Sequence, residues 1–363
     1  MKEKLYPALQ LTDACNKRCT ACLRVPGKQS HTLAYSDFEK YLEDVRTLNE
    51  PYDIGFQFVT GGEPTIWKDR TKDVGDIIMA LSNHGNIRNI TMPTNGKRFE
   101  NKAYVTDLLK RISGNVDHTV IIGLSIAAYQ ENFVNNRCVP LENLLEASAQ
   151  PGNKILPIAL VTLFRDDNMD QRLKQSYPGV IQRITPLAPL GGGQDMIRDC
   201  PSISLSGSKK DTLGTFMAQF RQDVAGRLNI TMDQFESTSN HHIMNRLSLF
   251  AHCGQSPFID DRWHYCLPFR EDPDFDIAPI GGMTKTSITD FITAHPFLHS
   301  IRTRGLLDTL DHYKDLLSRD TREKLDIMFS PDHLVSVAYR GCMICKELAE
   351  IGVWKEIQQG VCQ

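Results

Sequence analysis

No apolar run in this 363-residue sequence approaches the roughly 20 residues that a helix needs to cross a bilayer, and the best candidate, 155–164, reads as a buried strand. No block of like charges stands out either. Forty-one Lys+Arg against 44 Asp+Glu leave a formal charge of -3, without the basic stripe that nucleic acid or an anionic membrane would require. The opening Met1-Lys2-Glu3-Lys4-Leu5-Tyr6-Pro7 has no apolar centre of the kind a secretion signal carries, which predicts a cytoplasmic protein. No internal repeat or low-complexity segment is found. With 41% hydrophobic and 23% charged residues, what remains is an ordinary globular chain, long enough for about two domains, that meets its substrate in a pocket.

Cysteine, by contrast, is plentiful: ten, at positions 15, 19, 22, 138, 200, 253, 266, 342, 345 and 362. Without a secretion signal, a disulfide framework is not the expected use. Scattered buried thiols acting as small hydrophobes would account for Cys138 or Cys200, but not for two tight clusters more than 300 residues apart. Metal ligation is the first expectation.

Over the first 190 residues, strand-like apolar runs alternate with helix-like segments. Strands are expected at 8–12, 54–60, 89–95, 119–126, 155–164 and 181–189, and alternation of this kind predicts a parallel sheet. Ser36 with Glu39 predicts a capping box at the start of the first helix, where Phe38, Tyr41, Leu42, Val45 and Leu48 recur at helical spacing. Further helices are expected near 73–83, 102–112, 141–149 and 169–177. Six right-handed βα units can curl into an open partial barrel with its ligands at the C-terminal ends of the strands. The pattern changes after Pro189 at Gly191-Gly192-Gly193 and Cys200-Pro201, leading to a helix near 211–228. Beyond about 247, a hairpin at 258–266 is expected, then helices near 303–317 and 321–329 and a last one from about 346.

Cys15, Cys19 and Cys22 form a C-x3-C-x2-C loop directly after the first strand. Three thiolates on one short loop suit three corners of a 4Fe-4S cluster and leave one iron open to a small ligand. A structural zinc site is the alternative; it would want a fourth ligand close by, and the nearest is His31.

The loop resembles the hallmark of the radical S-adenosylmethionine (radical SAM) superfamily, a C-x3-C-x2-C motif after the first strand of a partial (βα)6 barrel. The resemblance implies that Cys15, Cys19 and Cys22 hold the cluster and that S-adenosyl-L-methionine chelates the fourth iron. Ala21 departs from the aromatic residue usual just before the third cysteine. Thr60-Gly61-Gly62-Glu63-Pro64 is similar to the family's Gly-Gly-Glu turn, whose glycines permit close backbone approach and whose carboxylate and carbonyls accept from the SAM ammonium. Thr94-Asn95-Gly96 resembles a segment at the end of strand three. The same likeness implies that Ser125 meets the ribose and that Arg165 meets the SAM carboxylate through its planar fork. It also implies that the stretch containing Leu187 and Leu190 receives the adenine.

Cys253-Gly254, Cys266 and the Cys342-x2-Cys345 pair supply four more thiolates, and the first segment resembles the start of the SPASM and twitch domains that follow many such barrels. That likeness implies one closed auxiliary 4Fe-4S cluster; a zinc site built from the same four cysteines is the rival. The expected fold is therefore α/β: a partial barrel over 1–195, a linker with a helix over 196–246, and a small α+β twitch-like iron-sulfur domain over 247–363. The implied activity is reductive cleavage of SAM to a 5'-deoxyadenosyl radical that abstracts a hydrogen atom from an unactivated C–H bond. The expected substrate is a peptide, to be oxidised, cross-linked or epimerised, with an electron donor such as flavodoxin or ferredoxin. Cys200, near the barrel mouth, is the candidate hydrogen-atom donor. The alternatives are a dehydrogenase or epimerase of a small carbohydrate or aminocyclitol, and a non-catalytic zinc-binding module.

Overall fold

The runs expected to be strands do pair with one another. The computed structural model describes residues 3–5, 8–20, 32–46, 52–54, 57–84, 87, 89–127, 130, 132–163, 168–186, 231, 256–257, 262–264, 280–282, 300, 304, 306–328 and 351–361. Within these, β2 (Ala8–Gln10), β4 (Gln57–Thr60), β7 (Ile90–Thr94), β8 (Val120–Ala127), β9 (Ile155–Leu163) and β10 (Ile181–Pro186) form one sheet in the order β10-β9-β8-β7-β4-β2. Every neighbouring pair is parallel. The crossovers carry α1 (Tyr35–Arg46), α2 (Val74–Ser82), α3 (Lys102–Asn115), α4 (Val139–Ser148) and α5 (Met169–Ser176). Sequence-adjacent strands joined by helices make an α/β fold consistent with a partial barrel. The run expected as one strand at 54–60 divides into β3 (Tyr52–Ile54), which pairs in parallel with β1 (Glu3–Leu5), and β4.

Alternation along the strands separates two faces. Gln57, Val59, Ile90, Met92, Ile122, Leu124, Ala159 and Val161 are fully buried, and this is the helix-covered face. Its packing onto α1 is explicit: Phe38, Tyr41 and Val45 are fully buried, and the Tyr41 hydroxyl donates to Gln57 Oε1. Each such side chain contributes roughly 1.5–3 kcal/mol through burial. The opposite face carries Thr60, Ser125, Leu160 and Thr162, all only half-buried, and the registers Gln10↔Thr60, Ser125↔Leu160 and Ala127↔Thr162 put matching positions side by side.

The Ser36–Glu39 capping box does not form. Helix α1 begins at Tyr35, so Ser36 falls inside the first turn. The Tyr35 N–H donates at 2.7 Å to Asp69 Oδ2, from the hairpin of β5 (Lys68–Asp69) and β6 (Lys72–Asp73). A carboxylate from another element supplies the negative charge that a helix N-terminus favours. The genuine capping box is at α2, where Asp73 Oδ1 accepts from Gly75 N–H at 2.8 Å and Asp76 Oδ2 accepts from Asp73 N–H at 2.9 Å.

In the later part, β11 (Ser256–Pro257), β12 (Arg262–His264) and β13 (Ile280–Gly282) form an antiparallel sheet, so a hairpin lies where one was expected. The chain divides into two compact units, and these strands go with the first: Met1–Ser204, Gln255–His264 and Ile280–Ser287. The second unit, Leu205–Gly254, Tyr265–Pro279 and Ile288–Gln363, contains α6 (Leu306–His312), α7 (Arg319–Met328) and α8 (Val353–Val361). Glu356 on α8 accepts from Ser318 N–H at 2.7 Å and from Thr321 Oγ1 at 2.8 Å, which fastens the start of α7 to α8. The helix expected at 211–228 lies outside the described residues. No helix among the described residues is long and apolar enough to cross a membrane.

Candidate metal centre

At the C-terminal edge of β2, the chain crosses the turn that follows β4. Leu11 N–H donates to Thr60 O at 2.9 Å, Gly62 N–H to Thr12 O at 2.5 Å, and Glu63 N–H to Ala14 O at 2.9 Å. The two segments lie so close that only glycine fits. A Cβ on Gly61, whose φ is +143°, would overlap the Thr12 carbonyl oxygen, and one on Gly62 would overlap those of Asp13 and Ala14. The glycines thus admit the backbone of the cysteine loop itself, which seats Cys15 beside the end of the sheet.

Glu63 is 1% exposed, and both of its carboxylate oxygens accept from the protein. Oε1 takes Thr65 N–H at 3.0 Å, Thr65 Oγ1 at 2.6 Å and Thr94 Oγ1 at 2.7 Å; Oε2 takes Asn95 N–H at 2.7 Å. Four donors satisfy a charge that would otherwise be costly to bury. Pro64, also buried, opens the short 3-10 turn Pro64–Ile66, and Arg98 donates to Thr65 O at 2.8 Å. The turn after β4 and the turn after β7 are thereby tied through one side chain.

Asn95 completes the arrangement. Its Oδ1 accepts from Lys97 N–H at 2.9 Å, and its Nδ2 donates to Cys15 Sγ at 3.3 Å and to Asn16 Oδ1 at 2.9 Å. Lys97 N–H can only donate, so it fixes which end of the amide faces the sulfur. Lys17 N–H also donates to Cys15 Sγ, at 3.4 Å, and Lys17 Nζ reaches Gln130 O at 3.2 Å beyond β8. The Cys15 sulfur thus receives two N–H donors, one from the loop itself and one from the turn after β7. Cys19 is half-buried on the same loop. This donor set fits an iron–sulfur cluster, whose cysteine sulfurs are thiolates that accept hydrogen bonds.

The structure thus brings Cys15, Gly61, Gly62, Glu63, Thr94 and Asn95 together. Ser125 is half-buried near the end of β8 on the open face, where its carbonyl oxygen accepts from Asn132 Nδ2 at 2.6 Å. Cys22, Arg165, Leu187, Leu190, Cys200, Cys253, Cys266, Cys342 and Cys345 lie outside the described residues. Among the described residues, accordingly, no group of three metal-ligating side chains is assembled. Sequence reasoning passed over Gln10, which is 1% exposed at the end of β2 with its Oε1 unpartnered. A glutamine between Leu9 and Leu11 in a buried strand was the available signal. Cys138 starts α4 fully buried, its N–H donating to the Tyr177 hydroxyl at 2.8 Å, and burial pushes its thiol up to about 11.

Residues 9–148, which span the cysteine loop and the first four strands of the sheet, match the Radical SAM superfamily. That superfamily uses a 4Fe-4S cluster to which SAM binds. Over 204 residues the chain is 26% identical to the GTP 3',8-cyclase of Clostridium botulinum, covering 53% of this chain and 60% of that relative. It is 37% identical over 116 residues to the GTP 3',8-cyclase of Shewanella denitrificans, covering 31% of this chain and 32% of the relative. The chain therefore spans at most about three fifths of the length of these relatives. A solved structure, native anSMEcpe with bound AdoMet, is similar at a TM-score of 0.47 and 12% identity over 98% of both chains.

Proposed function

We propose that this protein is a radical SAM enzyme that abstracts a hydrogen atom from an unactivated C–H bond of its substrate. The observation that carries the reading is Cys15, which follows the backbone of residues 12–14 packed against Gly61 and Gly62 and holds two N–H donors on its sulfur. When bound, a 4Fe-4S cluster supplies the single electron that cleaves SAM reductively. The chain's own part is positioning: Cys15, Cys19 and Cys22 are the cluster ligands, Gly61, Gly62, Glu63 and Pro64 form the turn beside the SAM ammonium, and Thr94 and Asn95 brace that turn. Ser125 addresses the ribose, Arg165 the carboxylate, and Leu187 and Leu190 the adenine. The half-buried face of the sheet, with Thr60, Ser125 and Thr162, is where substrate is held away from bulk water.

For the substrate we propose a peptide, oxidised, cross-linked or epimerised. Cys253, Cys266, Cys342 and Cys345 would then hold an auxiliary 4Fe-4S cluster in a twitch-like domain, Cys200 would return a hydrogen atom, and a flavodoxin or ferredoxin would deliver electrons. A second reading, GTP as substrate, is favoured by the names of the two relatives. Metal and sulfide analysis of anaerobically purified protein tests the reading: about eight irons per chain with matching sulfide fit two four-iron clusters and about four fit the N-terminal one alone. Zinc without sulfide contradicts it. Transfer of deuterium into 5'-deoxyadenosine, from labelled peptide or from labelled GTP, distinguishes the substrates.

A further inference from the structure

Asn95 makes four hydrogen bonds. Its backbone N–H is held by Glu63 Oε2 at 2.7 Å, and its side-chain oxygen is held by Lys97 N–H at 2.9 Å. With these two in place, the side-chain Nδ2 has one direction left, and it meets Cys15 Sγ at 3.3 Å and Asn16 Oδ1 at 2.9 Å. The residue is 9% exposed, so this N–H faces the sulfur with little competition from water. Glu63 in turn is 1% exposed and anchored on Thr65 and Thr94, so the amide is aimed by a rigid support built from the two turns.

We infer that Asn95 is a positioning residue that sets the reduction potential of a cluster held by Cys15, through its side-chain N–H on that cysteine's sulfur. The inference rests on the proposed function and adds to it. A one-electron reduction places extra negative charge on the iron and sulfur atoms, and a hydrogen-bond donor fixed at a ligand sulfur stabilises that charge. The reduced state is therefore easier to reach with Asn95 present. The same amide holds Asn16 beside Cys15, so it also limits movement of the ligand loop.

The test uses the full chain, reconstituted with iron and sulfide under anoxia, as parent and as Asn95→Ala. Potentiometric titration followed by electron paramagnetic resonance reads the midpoint of the component whose signal changes when SAM is added. At equal iron and sulfide content, the midpoint of Asn95→Ala is expected to be more negative than that of the parent; an unchanged or less negative midpoint overturns the inference. Protein made with asparagine labelled by nitrogen-15 in the side-chain amide gives a second readout, whose parent arm does not depend on the variant loading its cluster. The reduced parent is expected to show hyperfine coupling to a labelled amide, and Asn95→Ala to lose it. Absence of the coupling in the parent, or its persistence in the variant, overturns the inference. A parent without any iron–sulfur signal overturns the proposed function, and this inference with it.

Discussion

The carbonyl oxygen of Ala14 occupies the space into which any side chain on Gly62 would project, and the same oxygen accepts the Glu63 N–H at 2.9 Å. The cysteine loop and the turn after β4 are fitted to each other across backbone atoms, which cannot rotate aside as a side chain can. Gly62→Ala must therefore push the loop off the sheet edge, at a cost of about 1–3 kcal/mol for overpacking. The expected result is a folded protein by circular dichroism that takes up less iron per chain than the parent during reconstitution. Normal iron content in Gly62→Ala would show that the close approach does not matter to the ligand loop.

Much of this was legible in the residues. The strand runs were visible because each is apolar and bounded by helical spacing, and parallel pairing followed from their alternation with helices. The Gly-Gly-Glu turn was marked by its glycines. What the sequence withheld are contacts between distant segments: Asp69 caps α1 in place of the local Ser36, and Asn95 reaches a sulfur 80 positions away. The Glu63 carboxylate, expected to face a SAM ammonium, also braces Thr65, Thr94 and Asn95, because a buried charge recruits every donor within reach.

Glu63→Gln removes the charge and turns one acceptor into a donor, which must then face either Asn95 N–H or the three donors on Oε1. Leaving buried donors unmatched predicts a loss of about 2–4 kcal/mol. The midpoint of urea unfolding, compared with that of the parent at equal slope, measures it. An unchanged midpoint would mean that the carboxylate does not brace the two turns.

Burial holds His84 and His118 below the ordinary histidine value of 6.5. The unfolded chain then binds protons that the folded chain refuses, so stability is present above that value and falls as the pH drops through it. Melting temperatures should decline between about pH 7.5 and pH 5.5, more steeply for the parent than for the His84→Gln, His118→Gln double variant. Equal slopes would remove these histidines as the cause.

Cys138 has no exposed surface, and with its thiol pushed up to about 11 it is almost entirely protonated near neutrality. At about pH 8 roughly one molecule in a thousand carries the thiolate, the form that reacts. Peptide mapping after iodoacetamide treatment should find Cys138 unmodified in the native protein and modified after denaturation. Rapid native alkylation would contradict its burial.

The most direct test is cleavage of SAM itself. Anaerobically purified, reconstituted protein is mixed with SAM and dithionite, and 5'-deoxyadenosine and methionine are quantified by liquid chromatography. A radical SAM enzyme forms both, and replacing Cys15 by alanine abolishes them. Colourless, zinc-loaded protein that leaves SAM intact would contradict the proposed function.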